Sequence, residues 1–215
     1  MVDRRRVPDG YVSGPAAATE ATIEALARVG DATTVILVEG VSDQIAVETL
    51  ARALGWPLAA IRAAVVPTGG VSGMGRLLAH FGPAGDDRRR VVVLCDIGEE
   101  WIARRAIARA GAADVAVFAC NADLEDELIR AVTPDGVERL LETGGTLGSF
   151  RSLQRQQQWR DRPVHEQLRR FLASGATRKL RYAEELILAA AALDRVPAPL
   201  LGLLEAATGS RGSSS

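Results

Sequence analysis

Four short runs, residues 33–38, 63–66, 91–95 and 115–120, are apolar or β-branched at nearly every position and lack the alternation of a half-exposed strand. A strand of that kind is covered on both faces, which in a single sheet demands helices above and below it. Between the runs the apolar spacing lengthens to three and four: Ile45, Ala46, Leu50 and Leu54 after the first, Leu77, Leu78 and Phe81 after the second, and a helix over 100–110 before the fourth. Strands alternating with helices imply parallel pairing and right-handed crossovers. A further helix is expected over 15–29, stopping at Gly30. Beyond Asn121 no strand pattern recurs, and helices are expected at 123–131, 135–142, 147–158, 163–173, 178–194 and 197–207. The expected organisation is an N-terminal tail and helix (1–30), an α/β core of about four parallel strands (31–133), a helical extension with a basic face (134–207) and a flexible tail (208–215).

Composition narrows the function classes. The 47% hydrophobic and 25% charged content is that of a globular domain with a real core. The longest aliphatic run, Leu186 to Leu193, is too short to cross a bilayer, and the arginines near the start have no apolar segment behind them. Cys95 and Cys120 each lie in a strand-like run and read as buried small hydrophobes. A cytoplasmic location is the default expectation. The net charge of −1 conceals a split: residues 31–142 hold seventeen acids against eleven bases, whereas 145–181 hold nine bases against two acids. An acidic half joined to a basic one suits a chain that gathers cations in one place and polyanions in another. Arg151, Arg155, Arg178 and Arg181 are the candidates for the second task.

The acids concentrate where an open parallel sheet binds ligands, at the carboxyl ends of its strands. Glu39 closes the first run and Asp43 lies four residues on; Asp96 closes the third, followed by Glu99 and Glu100; Asp123 and Glu125 follow the fourth. Carboxylates aimed at one point raise one another's pKa unless a cation sits among them, and oxygen-only ligation favours Mg²⁺, Mn²⁺ or Ca²⁺ over zinc. Ser42 reads as a helix N-cap, and Glu100, Asp126 and Glu127 as solvated helix acids. Of 26 basic residues only Lys179 is lysine, a compact point charge retained where arginine is otherwise the rule. His80 and His165 follow no metal or triad spacing, and Trp56, Trp101 and Trp159 are too scattered to form a base-stacking platform.

The segment Val38-Glu39-Gly40-Val41-Ser42-Asp43 resembles the first motif of Toprim domains, the catalytic module of topoisomerases, bacterial primases and OLD-type (overcoming lysogenization defect) nucleases. LCDIGEE resembles the second motif through Asp96; it departs at the second aspartate, where Gly98 stands and Glu99 is the available substitute. ADLEDEL resembles the Leu-Glu element of OLD-type Toprims, PTGGVSGMGRLL the intervening glycine turn, and ATRKLRYAEEL the late lysine element. The resemblance covers about residues 33–195 and implies a Rossmann-like Toprim core. It implies Mg²⁺ or Mn²⁺ on Glu39, Asp43, Asp96, Glu99 and Glu125, catalytic roles for Glu39, Asp43, Asp96 and Lys179, and DNA as substrate. OLD-type Toprims normally follow an ATPase domain. No G-x-x-x-x-G-K-[ST] loop occurs in this sequence, so a stand-alone Toprim with any ATPase on another protein is expected. The expected activity is metal-dependent DNA hydrolysis. The alternatives are a catalytically impaired Toprim module that binds nucleic acid or a partner ATPase, and a nucleotidyl transferase.

Overall fold

A computed structural model describes residues 7–11 and 16–209, so the expected loose ends at 1–13 and 208–215 lie largely outside the described residues. Helix α1 (Ala17–Arg28) leads into β1 (Thr34–Val38), α2 (Val41–Ala53), β2 (Ala63–Pro67), α3 (Val71–Phe81), β3 (Arg90–Asp96), α4 (Glu100–Arg109) and β4 (Ala116–Cys120). Six helices follow: α5 (Leu124–Val132), α6 (Pro134–Thr143), α7 (Leu147–Gln154), α8 (Val164–Ala173), α9 (Ala176–Ala192) and α10 (Ala198–Ala207). The four strands form one parallel sheet in the order β2-β1-β3-β4, with Leu37 beside Val66 and Val93, and Asp96 beside Cys120. This is the α/β core with a helical extension that the sequence implies. Among the described residues no helix is long and apolar enough to cross a membrane.

Successive strand residues point to opposite faces, and the two sets enter different cores. Val35, Leu37, Val91, Val93 and Cys95 pack with Ala25, Leu78, Ala103 and Ile107, so α1, α3 and α4 cover one face. Ile36, Val38, Val92 and Leu94 pack with Leu50, Leu128, Phe150, Phe171, Leu186 and Leu203, so α2 and the extension cover the other. Gly202 permits a close approach of α10 to the sheet, since a methyl there would sit 2.9 Å from the Phe118 ring. Both cysteines are free thiols and buried, as their setting in the sequence implies.

Three local details depart from expectation. Gly40, not Ser42, is the N-cap of α2: the Asp43 carboxylate accepts the Gly40 N–H at 3.1 Å, and Ser42 is buried inside the helix. Helix α7 ends at Gln154 rather than 158, because the polar run RQQQ offers the core nothing to bury. Helix α9 begins at Ala176 rather than 178, after Gly175 takes a φ of 99° that an L side chain resists. Lys179 therefore lies at the very start of a 17-residue helix.

Candidate metal centre

The crossover from β1 leads to β2 on one side, and the next leads back across to β3 on the other. That reversal opens a crevice outside the carboxyl ends of β1 and β3, the standard ligand position of such sheets. Glu39 follows β1 directly and Asp96 ends β3, and the Asp96 N–H donates to Glu39 Oε1 at 3.0 Å. The backbone beneath them is pinned. Gly69 and Gly70, at φ 70° and 99°, turn the chain so that the Gly70 N–H donates to the Glu39 carbonyl at 3.0 Å. At the β3–α4 corner the Ile97 N–H donates to the Cys120 carbonyl at 2.9 Å.

Helix α5 brings the buried Glu125 to the same edge, and α9 lies along α2 and α5 so that Lys179 Nζ is 3.3 Å from Glu125 Oε1. The charges report on one another. Burial pushes the Asp96 carboxyl up to about 8, with Glu39, Asp43, Asp123 and Glu125 adding to the rise. Burial also pushes Asp43 up to about 6, opposed by Lys179 and the Gly40 N–H and reinforced by Glu39. Glu39 is raised by burial and by the Glu99 carboxyl beside it, with the Asp96 N–H and Lys179 pulling the other way. Glu125 is raised by burial, with Asp123 and Asp43 adding and Lys179 opposing. Burial alone lowers Lys179, but the charges of Glu125 and Asp43 outweigh it and leave the ammonium above its usual range. Five residues from β1, α2, β3, α5 and α9 thus share one electrostatic neighbourhood.

Whether this neighbourhood fits a metal can be asked of the donors. Among the described residues no three Asp, Glu, His or Cys side chains stand as a ready metal cage. The donor chemistry nevertheless fits a hard dication: every candidate ligand is a carboxylate, and burial, with the neighbouring acids adding to it, holds several of them towards the protonated state. Glu99 supplies a further sign. Its Oε2 is buried without a hydrogen-bond partner, the one such side-chain atom among the described residues, and an orphaned carboxylate oxygen invites a cation. Gly98 brings no ligand and leaves open space, since nothing lies within 4 Å of where its Cβ would be. Glu39, Asp43, Asp96, Glu99 and Glu125 are the residues that would hold such an ion. Asp123 is otherwise engaged: one oxygen caps α5 through the Asp126 N–H at 2.8 Å, and the other takes Arg169 Nε at 2.7 Å.

The basic candidates are placed differently from the acids. Arg151 grips both Glu138 oxygens, at 3.0 and 2.6 Å. Arg178 donates to the Phe171 and Ser174 carbonyls at the end of α8 and stacks 4.0 Å over the Phe171 ring. Arg181 is buried, with Nε 2.8 Å from Glu185. Arg155 is exposed and, among the described residues, bonds only Ser152. Three of these four guanidiniums are bound into the fold. Sequence reasoning also missed that Glu127 is buried, accepting the Asn121 N–H at 2.8 Å, and that His165 meets Asp126 at 2.6 Å and Arg169 meets Asp123. The spacing of four between His165 and Arg169 on one face of α8, matched to Asp123 and Asp126 at the start of α5, is the signal that could have found this clamp.

Comparison with known proteins gives a consistent picture. Residues 32–97 match the family model described as "Overcoming lysogenization defect protein-like, TOPRIM domain". The C-terminal region of the Burkholderia pseudomallei OLD protein superposes with a TM-score of 0.58 at 20% identity, covering 83% of this chain and 98% of that one. The C-terminal region of the Xanthomonas campestris pv. campestris OLD protein does so with a TM-score of 0.59 at 21% identity, covering 83% and 95%. At these identities the superpositions speak to the fold. No curated protein matches the sequence.

Proposed function

Because this chain carries an OLD-like Toprim domain and is homologous to the OLD proteins through it, we propose that it is a metal-dependent phosphodiesterase that hydrolyses DNA. The observation that carries the reading is the raised Asp96 carboxyl, pushed up by burial and by four other acids delivered to one sheet edge from distant parts of the chain. Perturbed titratable groups in a crevice are characteristic of working sites, and these have an identifiable cause. A bound Mg²⁺ or Mn²⁺ would supply Lewis acidity towards the scissile phosphate and lower the pKa of water. The protein's own residues do the rest. Glu39, held by the Asp96 N–H, and Asp43, held by the Gly40 N–H, present oxygens from a fixed backbone. Asp96, Glu99 and Glu125 complete the negative set. Lys179 brings an ammonium to the same pocket, where it offsets charge developing on the phosphoryl oxygens. The expected result is nicking or degradation of DNA that requires Mn²⁺ or Mg²⁺ and is abolished in Asp96→Ala. Cleavage that survives this substitution contradicts the proposal.

A second reading is favoured by Gly98, which brings no ligand where the second aspartate of the motif would stand: a Toprim module that binds nucleic acid or a partner without cleaving it. Calorimetry separates the two, since this module binds DNA while taking up neither Mg²⁺ nor Mn²⁺.

A further inference from the structure

Six large hydrophobic side chains are exposed among the described residues, and two of them, Ile97 at 50% and Trp101 at 61%, follow Asp96 closely: Ile97 is the next residue and Trp101 is the second residue of α4. Their exposure does not come from a slack loop. The Ile97 N–H is bonded to the Cys120 carbonyl at 2.9 Å, and the Glu99 N–H to the Asp96 carbonyl at 2.9 Å. From Trp101 the outward face of α4 continues at intervals of four through Arg105 to Arg109, both exposed. Arg104 is occupied by Glu100 at 2.7 Å, but among the described residues neither Arg105 nor Arg109 has an acidic partner. Helix α3, packed beside α4 with Gly75 against Ala106, adds an exposed Arg76 and no acid. This layer is therefore positive within an acidic half of the chain.

We propose that the outer face of α4 is the track on which a single nucleic-acid strand lies as it enters the metal centre. Trp101, with Ile97 beside it, stacks on an unpaired base, and Arg105 and Arg109 meet the phosphates that follow. The inference rests on the nuclease reading for its substrate, and its support is separate: an exposed aromatic in the first turn of α4 followed by guanidiniums with no acidic partner among the described residues. An aromatic–arginine stripe is the pairing that single strands require, since every base has a face to stack and every linkage a charge to meet. From Trp101 to Arg109 the stripe runs about 12 Å, enough for a few nucleotides. It leads directly to Asp96.

The test is fluorescence anisotropy with a labelled single-stranded thymidine 20-mer in EDTA, so that binding is read without cleavage. Arg105→Glu/Arg109→Glu is expected to weaken binding about tenfold or more and to reduce the salt dependence by about 1.4 in log–log slope, two contacts at the single-strand value. Trp101→Ala is expected to weaken binding several-fold and to abolish quenching of tryptophan emission, while Arg155→Glu changes affinity less than either. All three sites are exposed, so melting temperatures near the wild-type value are expected. Wild-type affinity in both α4 variants overturns the track and assigns the face to a protein partner; a wild-type chain that does not bind the oligonucleotide also overturns it. The two readings fail separately. Binding through α4 without Mn²⁺-dependent cleavage removes the hydrolase and keeps the track, whereas cleavage with an unchanged KM in the charge-reversed variant removes the track and keeps the hydrolase.

Discussion

Two sets of arginines, one on each side of the sheet, are used in opposite ways, although Arg155 and Arg170 of the extension are as exposed as the second set. On the side of α2 and the extension, where the basic count of the sequence is highest, Arg151, Arg178 and Arg181 are committed to Glu138, to the carbonyls ending α8 and to Glu185. On the side of α3 and α4, inside the acidic half, Arg105 and Arg109 are exposed and have no acidic partner among the described residues. Charge density along a chain therefore does not locate a polyanion surface. What matters is whether each charge is already neutralised by the fold, because a guanidinium bound to its own protein has little left to give a ligand.

That contrast can be broken by stability measurements. Arg181→Ala leaves Glu185 and the Gly144 carbonyl without a buried donor, and a loss of about 3–5 kcal/mol in denaturant unfolding is expected. The acids make the next largest effect. Asp96 and Asp43 sit at about 8 and 6 when folded, above the usual aspartate value of 3.8. Between about pH 4 and 8 the folded state thus holds protons that the unfolded chain has released, and stability falls as pH rises through that window. In EDTA the melting temperature should drop by several degrees from pH 5 to pH 8, less so in Asp96→Asn; a flat or rising profile contradicts the raised carboxyls. Arg178→Ala, which removes bonds to main-chain carbonyls and a ring contact, should cost about 1–2 kcal/mol. Arg151→Ala should cost under about 1 kcal/mol, because that side chain is 43% exposed and its pair with Glu138 is screened. Arg105→Ala and Arg109→Ala should change stability by less than about 0.5 kcal/mol. Equal losses on both sides of the sheet would erase the distinction.

The strands and the acids that follow them are legible in the sequence because both are local. Runs such as VVVLC allow only a doubly covered strand, and an acid placed directly after such a run, as at Glu39 and Asp96, falls on the ligand edge of any parallel sheet. The rest depends on contacts between distant segments. Arg151 finds Glu138 thirteen residues away, and Arg178 reaches back to carbonyls that are orphaned only because α8 ends where it does. Glu127 reads as a solvated acid but is drawn inward by the Asn121 N–H. Trp101 reads as one of three scattered tryptophans, and only the structure shows it exposed in the first turn of α4, just after the corner fixed by Ile97 and Cys120. The N-cap of α2 was misread for a related reason: Ser42 has the right chemistry, but Asp43 reaches back to the Gly40 N–H and starts the helix earlier.

The claim beneath all of this is that carboxylates gathered from β1, α2, β3 and α5 take up one dication together. Isothermal titration of Mn²⁺ into the wild-type chain and into Asp96→Asn, each first freed of metal with EDTA, tests it most directly. Saturable binding that weakens about 10–100-fold or disappears in the variant, with proton release that grows as the buffer pH is lowered towards 6, is the predicted result. No Mn²⁺ uptake by the wild type, or equal uptake by both proteins, contradicts it.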